Sequence, residues 1–237
     1  ARAEPWIAVP ALAEVASGRG VMIRENCAVR ALDIAGGRVA GIVTEAGRVG
    51  CDQVVLAGGS WSRLFLQRHG VKIPQLSVLA SVGATEPMPE IFPGGAADDD
   101  FAFRRRQDGG YTIAPGGAQH DFFIGRDAFA SLFTYLPTLR AEAGKTTFRL
   151  RSPKGYPDAW GAPRQWSEDG PSPFEAQRIL NPAPNMKSLG RVQDAFAKAF
   201  PSLGRPRLQT AWAGMIDTLP DVVPVVDHAP IRRLGPE

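Results

Sequence analysis

The stretch Cys27–Gly59, CAVRALDIAGGRVAGIVTEAGRVGCDQVVLAGG, constrains the fold more than any other part of the chain. Three β-rich runs are separated by Gly36-Gly37 and by Ala46-Gly47, dipeptides that favour tight hairpins between strands. They predict a small antiparallel meander, preceded by a short strand over Val21–Asn26. Val54-Val55-Leu56-Ala57 is apolar without alternation, the pattern of a strand covered on both faces as in a parallel sheet. It runs into Gly58-Gly59, then Ser60, a plausible helix cap, and a helix over Trp61–His69 that Gly70 would end. Strand, glycine turn and helix in that order predict an α/β (α+β) fold.

The remaining elements are read from periodicity. Ala11–Ser17, after Pro10, places Leu12, Val15 and Ala16 on one face of a short helix. Beyond Pro74 the texture changes. Leu76–Thr85 and Phe101–Arg105 are strand-like, and Asp108-Gly109-Gly110 turns into Tyr111–Ile113. Ser131–Leu139 fits a helix or a strand, and Gly155–Pro173, dense in Pro, Gly and Trp, reads as a long loop. Asn185–Phe200 spaces Leu189, Val192, Phe196, Ala199 and Phe200 as the apolar stripe of an amphipathic helix. Arg207–Trp212 reads as a further strand.

Composition excludes several classes. With 27 basic and 24 acidic residues, the charge is too balanced to argue for a nucleic-acid partner. The runs Arg104–Arg106 and Arg232–Arg233 read as solvated faces. No apolar run approaches the ~18 residues of a membrane span. Cys27 and Cys51 form neither a disulfide framework nor a zinc pattern and read as small core residues, which suits a cytoplasmic, reducing setting. His69, His120 and His228 are scattered without metal-ligand spacing, and no GxSxG nucleophile motif is present.

Three segments carry a resemblance: Gly20–Leu32 (GVMIRENCAVRAL), Gly37–Phe65 (GRVAGIVTEAGRVGCDQVVLAGGSWSRLF) and Ala211–Asp227 (AWAGMIDTLPDVVPVVD). In order and spacing they resemble the FAD-dependent oxidoreductases of the D-amino-acid oxidase superfamily, the group of glycine oxidase and sarcosine oxidase. Phe101–Gly116 is similar to that family's substrate domain. The resemblance implies a two-domain FAD-binding fold. Residues 1–75 and 212–237 would belong to the FAD-binding domain with its β-meander, and 76–211 to a sheet-rich substrate-binding domain. It also implies that Ala57, Gly58, Gly59 and Trp61 lie against FAD, with Val29 at the adenine and Gly214 beside the cofactor. Without the resemblance, Gly58-Gly59 reads rather as a sharp turn and Val29 as a core residue, since a lone glycine pair is a weak signal.

The family's GxGxxG, which receives the pyrophosphate at a helix N-terminus, has no counterpart here. GGAADDDF and GGAQHDFF neither follow a buried strand nor open a helix. The family's second glycine-rich turn would fall beyond Glu237, so the sequence resembles the interior of a longer flavoprotein.

Substrate contacts are implied for Met215, Ile216 and Asp217, with Tyr111 in the substrate domain as a further candidate. In glycine oxidase-like members an arginine two residues after the WAG-type glycine holds the substrate carboxylate; here that position is Ile216. Isoleucine cannot supply a bidentate fork. Asp217 would attract a cationic amine or cap a turn before Pro220, and Asp221 would order a turn. The activity implied is oxidation of a C–N bond of an amine or amino acid by hydride transfer to flavin. No acid–base residue is assigned, since such a transfer depends on positioning. The rival expectation is a non-catalytic binding or assembly subunit related to such oxidases. No feature fixes an oligomeric state.

Overall fold

A computed structural model describes residues 3–117, 120–141 and 146–229. The chain divides into two compact units, each built from three segments: 1–25, 80–119 and 181–214 in the first; 26–79, 120–180 and 215–237 in the second. This partition by packing follows other lines than the functional division expected at residues 75 and 211.

The first unit contains helix α1 (Pro5–Gly18), the second half of strand β4 (Leu76–Thr85), β5 (Gly95–Ala97), β6 (Phe101–Arg105), β7 (Tyr111–Pro115), helix α6 (Met186–Ala199) and most of β10 (Leu208–Thr218). β5, β6, β7 and β4 pair antiparallel in that order. Helix α6 begins where the Asn185 side chain accepts from the Ser188 amide at 3.2 Å. Its stripe, Leu189, Val192 and Phe196, is buried, and Val192 and Phe196 share a core with Phe101, Tyr111 and Ile113. Helix α1 starts six residues before the expected position. Pro5 fits the first turn, and Pro10 forfeits only one hydrogen bond inside. None of its residues is buried; Leu12 and Val15, the expected core face, are exposed.

The second unit contains β1 (Val29–Ala35), β2 (Arg38–Thr44) and β3 (Gly47–Gly50), which form the expected meander in the order β1-β2-β3. Gly36 and Gly37 take φ of +59° and +78°, the twist a two-residue hairpin needs and other residues resist. A 3-10 turn (Gly59–Trp61) leads into α2 (Ser62–Arg68). The first half of β4 pairs antiparallel with β8 (His120–Phe123), and β8 pairs in parallel with β9 (Thr146–Arg149). The crossover between those parallel strands carries α3 (Arg126–Ala130) and α4 (Leu132–Ala141), so the ambiguous Ser131–Leu139 run is helical. Short helix α5 (Pro173–Ala176) is closed by a Ser172/Glu175 capping box.

Two expected strands are absent. Val21–Asn26 and Val54–Ala57 enter no ladder, and Val55 is 91% exposed. An apolar run becomes a buried strand only when strands hydrogen-bond to its edges and layers cover its faces; the described residues provide neither for these runs. Among the described residues no helix is long and apolar enough to cross a membrane.

Candidate functional site

The site is built where the Gly58–Trp61 turn meets the end of β10. Gly59 sits at φ +53°, a conformation that side chains resist. A Cβ added there would find only Asp217 Oδ1, at 3.8 Å. The next residue, Ser60, is buried and donates its hydroxyl to the Met215 carbonyl at 3.3 Å. The glycine turn and Met215–Asp217, more than 150 residues apart in sequence, therefore lie side by side. Ile216 is 55% exposed, and Asp217 is exposed with no hydrogen bond or ion pair among the described residues.

The turn is held from behind. The Gln75 side-chain amide donates to the Gly59 carbonyl at 2.8 Å. The Gln75 carbonyl in turn accepts from buried Arg63 at 2.7 Å, and Arg63 also donates to Ser131 Oγ at 3.1 Å. Asp127 balances the Arg63 charge, at 3.5 Å, together with Arg164 at 3.3 Å. Burial pulls the Arg63 and Arg164 guanidinium groups below their ordinary range, and the Asp127 charge opposes that pull. Burial likewise raises the neighbouring Asp158 carboxyl, against the hydrogen bond from Ser152 at 2.6 Å.

The other expected residues fall as follows. Ala57 and Gly59 are exposed, Gly58 half-buried, all beside the exposed apolar run Val54–Leu56. Trp61 is half-buried, its ring edge-on to Phe174 at 5.4 Å. Val29 opens β1, half-buried and opposite Thr44. Gly214 ends the first unit's share of β10, with open space where a Cβ would stand. The expected Trp61–His69 helix is a 3-10 turn followed by only seven helical residues, too short to present an anion-binding N-terminus.

Tyr111 is corrected. Its side chain is fully buried, and its hydroxyl accepts from the Ile91 amide at 2.9 Å and from Phe92 at 3.3 Å. It is a core residue of the first unit, since a tyrosine in a strand buries well wherever backbone satisfies its hydroxyl. His69 is likewise a satisfied core group. Its Nε2 accepts from the Leu32 amide at 3.2 Å, and burial, reinforced by the Arg68 charge, pulls its pKa down to about 4. Asp221 accepts from the Val223 amide at 3.1 Å and orders a turn. Cys27 and Cys51 are free and only half-buried. The Trp166 indole donates to the Arg30 carbonyl at 2.9 Å, beneath the Arg68 guanidinium at 5.0 Å, so this loop residue is a structural tie. Missing from the sequence reading were Gln75 and Arg63; a side chain that serves a distant carbonyl leaves no local motif.

The chain belongs to the DAO family of FAD dependent oxidoreductases, which matches residues 1–235. It is similar to L-amino acid deaminase from Proteus myxofaciens, solved in complex with anthranilate: 30% identity over 92% of this chain and 48% of that one, TM-score 0.83. Sarcosine oxidase subunit beta of Rhizobium meliloti (strain 1021) is 24% identical over 92% of this chain and 39% of its own length. The 4-methylaminobutanoate oxidase (formaldehyde-forming) of Paenarthrobacter nicotinovorans is 44% identical over 30% of this chain and 8% of its own. The chain thus spans about half the length of the deaminase and less of these curated relatives. The family's cofactor is FAD. The turn fits such a group: an exposed apolar run followed by a glycine whose missing Cβ leaves room for close approach of a flat ring.

Proposed function

We propose that the protein oxidises a C–N bond of an amine or amino acid by hydride transfer to FAD, with Ala57–Trp61 against the cofactor and Met215–Asp217 against the substrate. The observation that carries this reading is the juxtaposition of the two segments, joined by the Ser60–Met215 hydrogen bond and facing each other at Gly59 and Asp217. Bound FAD supplies the two-electron acceptor. The chain supplies position: Ile216 offers an apolar surface, and the Asp217 carboxylate attracts a cationic amine and orients its carbon. The names of the relatives, which act on amines and amino acids, support this substrate class. Val29 and Gly214 are further proposed cofactor contacts, and residues 76–211 the proposed substrate-binding domain.

The experiment is to mix FAD-loaded protein with amines and amino acids without oxygen and follow loss of flavin colour. Bleaching in wild type is expected, together with flavin content reduced at least tenfold in a folded Gly59→Val protein. A Gly59→Val protein with full flavin content would reject the assignment of the turn. Failure of every compound to bleach wild type would reject the activity.

A further inference from the structure

The segment 215–220 is held in an unusual way. Three of its carbonyls are gripped by side-chain hydroxyls, one from the glycine turn and two from α4. Ser60 takes the Met215 carbonyl at 3.3 Å, Tyr135 the Thr218 carbonyl at 2.8 Å, and Thr138 the Pro220 carbonyl at 2.7 Å. Tyr135 and Thr138 are three apart on α4 and so share one helix face. The carbonyls they meet are two residues apart in the chain, about the distance that one helical turn spans.

Tyr135 does more than reach the segment. It is 2% exposed, packed with Leu76, Val78 and Phe122. Its hydroxyl also lies 2.5 Å from the Pro74 carbonyl. Pro74 precedes Gln75, whose side chain holds the Gly59 carbonyl. The single phenol proton is shared between these two carbonyls, so Tyr135 stands between both walls of the candidate site: the glycine turn through residues 74–75, and the 215–218 segment. Burial pushes the Tyr135 pKa up to about 12, so the hydroxyl keeps its proton throughout the working range. Because all three grips fall on carbonyls, the side chains of Ile216 and Asp217, between the first two, remain exposed at the site.

We propose that Tyr135 and Thr138 are positioning residues: with Ser60 they clamp the 215–220 carbonyls and so fix where Ile216 and Asp217 stand relative to the glycine turn. The proposal rests on the reading of 216–217 as the substrate-facing residues. Loss of a clamp hydroxyl leaves Gln75 still holding the Gly59 carbonyl but lets the 215–220 segment wander, and misplacement by about 1 Å is enough to slow a position-dependent transfer by up to a hundredfold.

The test uses FAD-loaded protein with Tyr135→Phe, Thr138→Val and Thr138→Ser, beside Asp217→Asn. Anaerobic flavin reduction is measured with methylamine, benzylamine, sarcosine and D-alanine, following the compound that reduces wild type fastest. Hydrogen exchange of the 216–219 amides is measured in parallel. Tyr135→Phe and Thr138→Val are expected to keep flavin content and reduce the limiting rate about tenfold, with faster exchange at 216–219. Thr138→Ser, which retains the hydroxyl, is expected to behave as wild type. If Asp217→Asn slows reduction but the phenylalanine and valine variants do not, the clamp is wrong and the substrate reading stands. If Asp217→Asn, Tyr135→Phe and Thr138→Val all leave reduction unchanged, both fall. If no compound reduces wild type, the proposed activity fails, and unchanged exchange at 216–219 overturns the clamp independently.

Discussion

His69 carries the clearest consequence of burial on a single side chain. Its ring accepts a backbone hydrogen bond and has its pKa held at about 4, so the folded state takes up a proton less readily than the unfolded chain. Stability from neutral His69 is present above pH about 6.5 and is lost as the pH falls toward about 4. The full shift corresponds to about 3 kcal/mol, of which about 2 kcal/mol is lost by pH 5, still above the folded value. Denaturant unfolding at pH 7 and pH 5 should show a smaller decline for His69→Gln, whose amide oxygen accepts the Leu32 hydrogen bond without titrating. An identical decline in both proteins would show that His69 does not set it. At this scale the sequence was uneven. Ile216 and Asp217 were singled out through the resemblance, which sets Ile216 where glycine oxidase-like members carry an arginine. Tyr111 was misjudged because nothing local tells a buried strand tyrosine from one lining a pocket, and Tyr135 was overlooked because its partners, Pro74 and Thr218, are remote carbonyls.

Among the elements, those specified by short-range rules were legible. The Gly36-Gly37 hairpin follows from backbone conformation alone, and the α6 stripe from helical spacing and the Asn185 cap. Phe196, fully buried between Phe101, Tyr111 and Val192, is the centre of that stripe. Phe196→Ala should cost about 3–5 kcal/mol in chemical denaturation. A loss below about 1 kcal/mol would mean that α6 does not organise the first unit. Periodicity failed where burial depends on what lies opposite. Val54–Ala57 and α1 are rich in apolar residues, yet the described residues leave them exposed. A hydrophobic pattern states that a face is able to be covered and does not name its cover.

At the scale of the whole molecule, family membership and cofactor follow from a match across residues 1–235, whereas in the proposed reading the choice of substrate turns on Ile216 and Asp217. The juxtaposition of residues 58–61 with 215–217 was legible in sequence only through the resemblance, because contacts across more than 150 residues have no local signature. Ile216 supplies no partner for a carboxylate, and a carboxylate buried there without one would cost about 3–5 kcal/mol, by analogy with broken ion pairs. Each 1.4 kcal/mol is about tenfold, so in the proposed reading small amino acids anchored at that position fall out of the useful range. The deciding measurement is anaerobic flavin reduction by a panel of glycine, D-alanine, sarcosine, methylamine and benzylamine, for wild type beside Ile216→Arg. The account predicts that wild type prefers the amines without a carboxylate and that the arginine raises the rate with glycine and D-alanine at least tenfold. Efficient reduction by glycine or D-alanine in wild type, with no gain from the arginine, would contradict it.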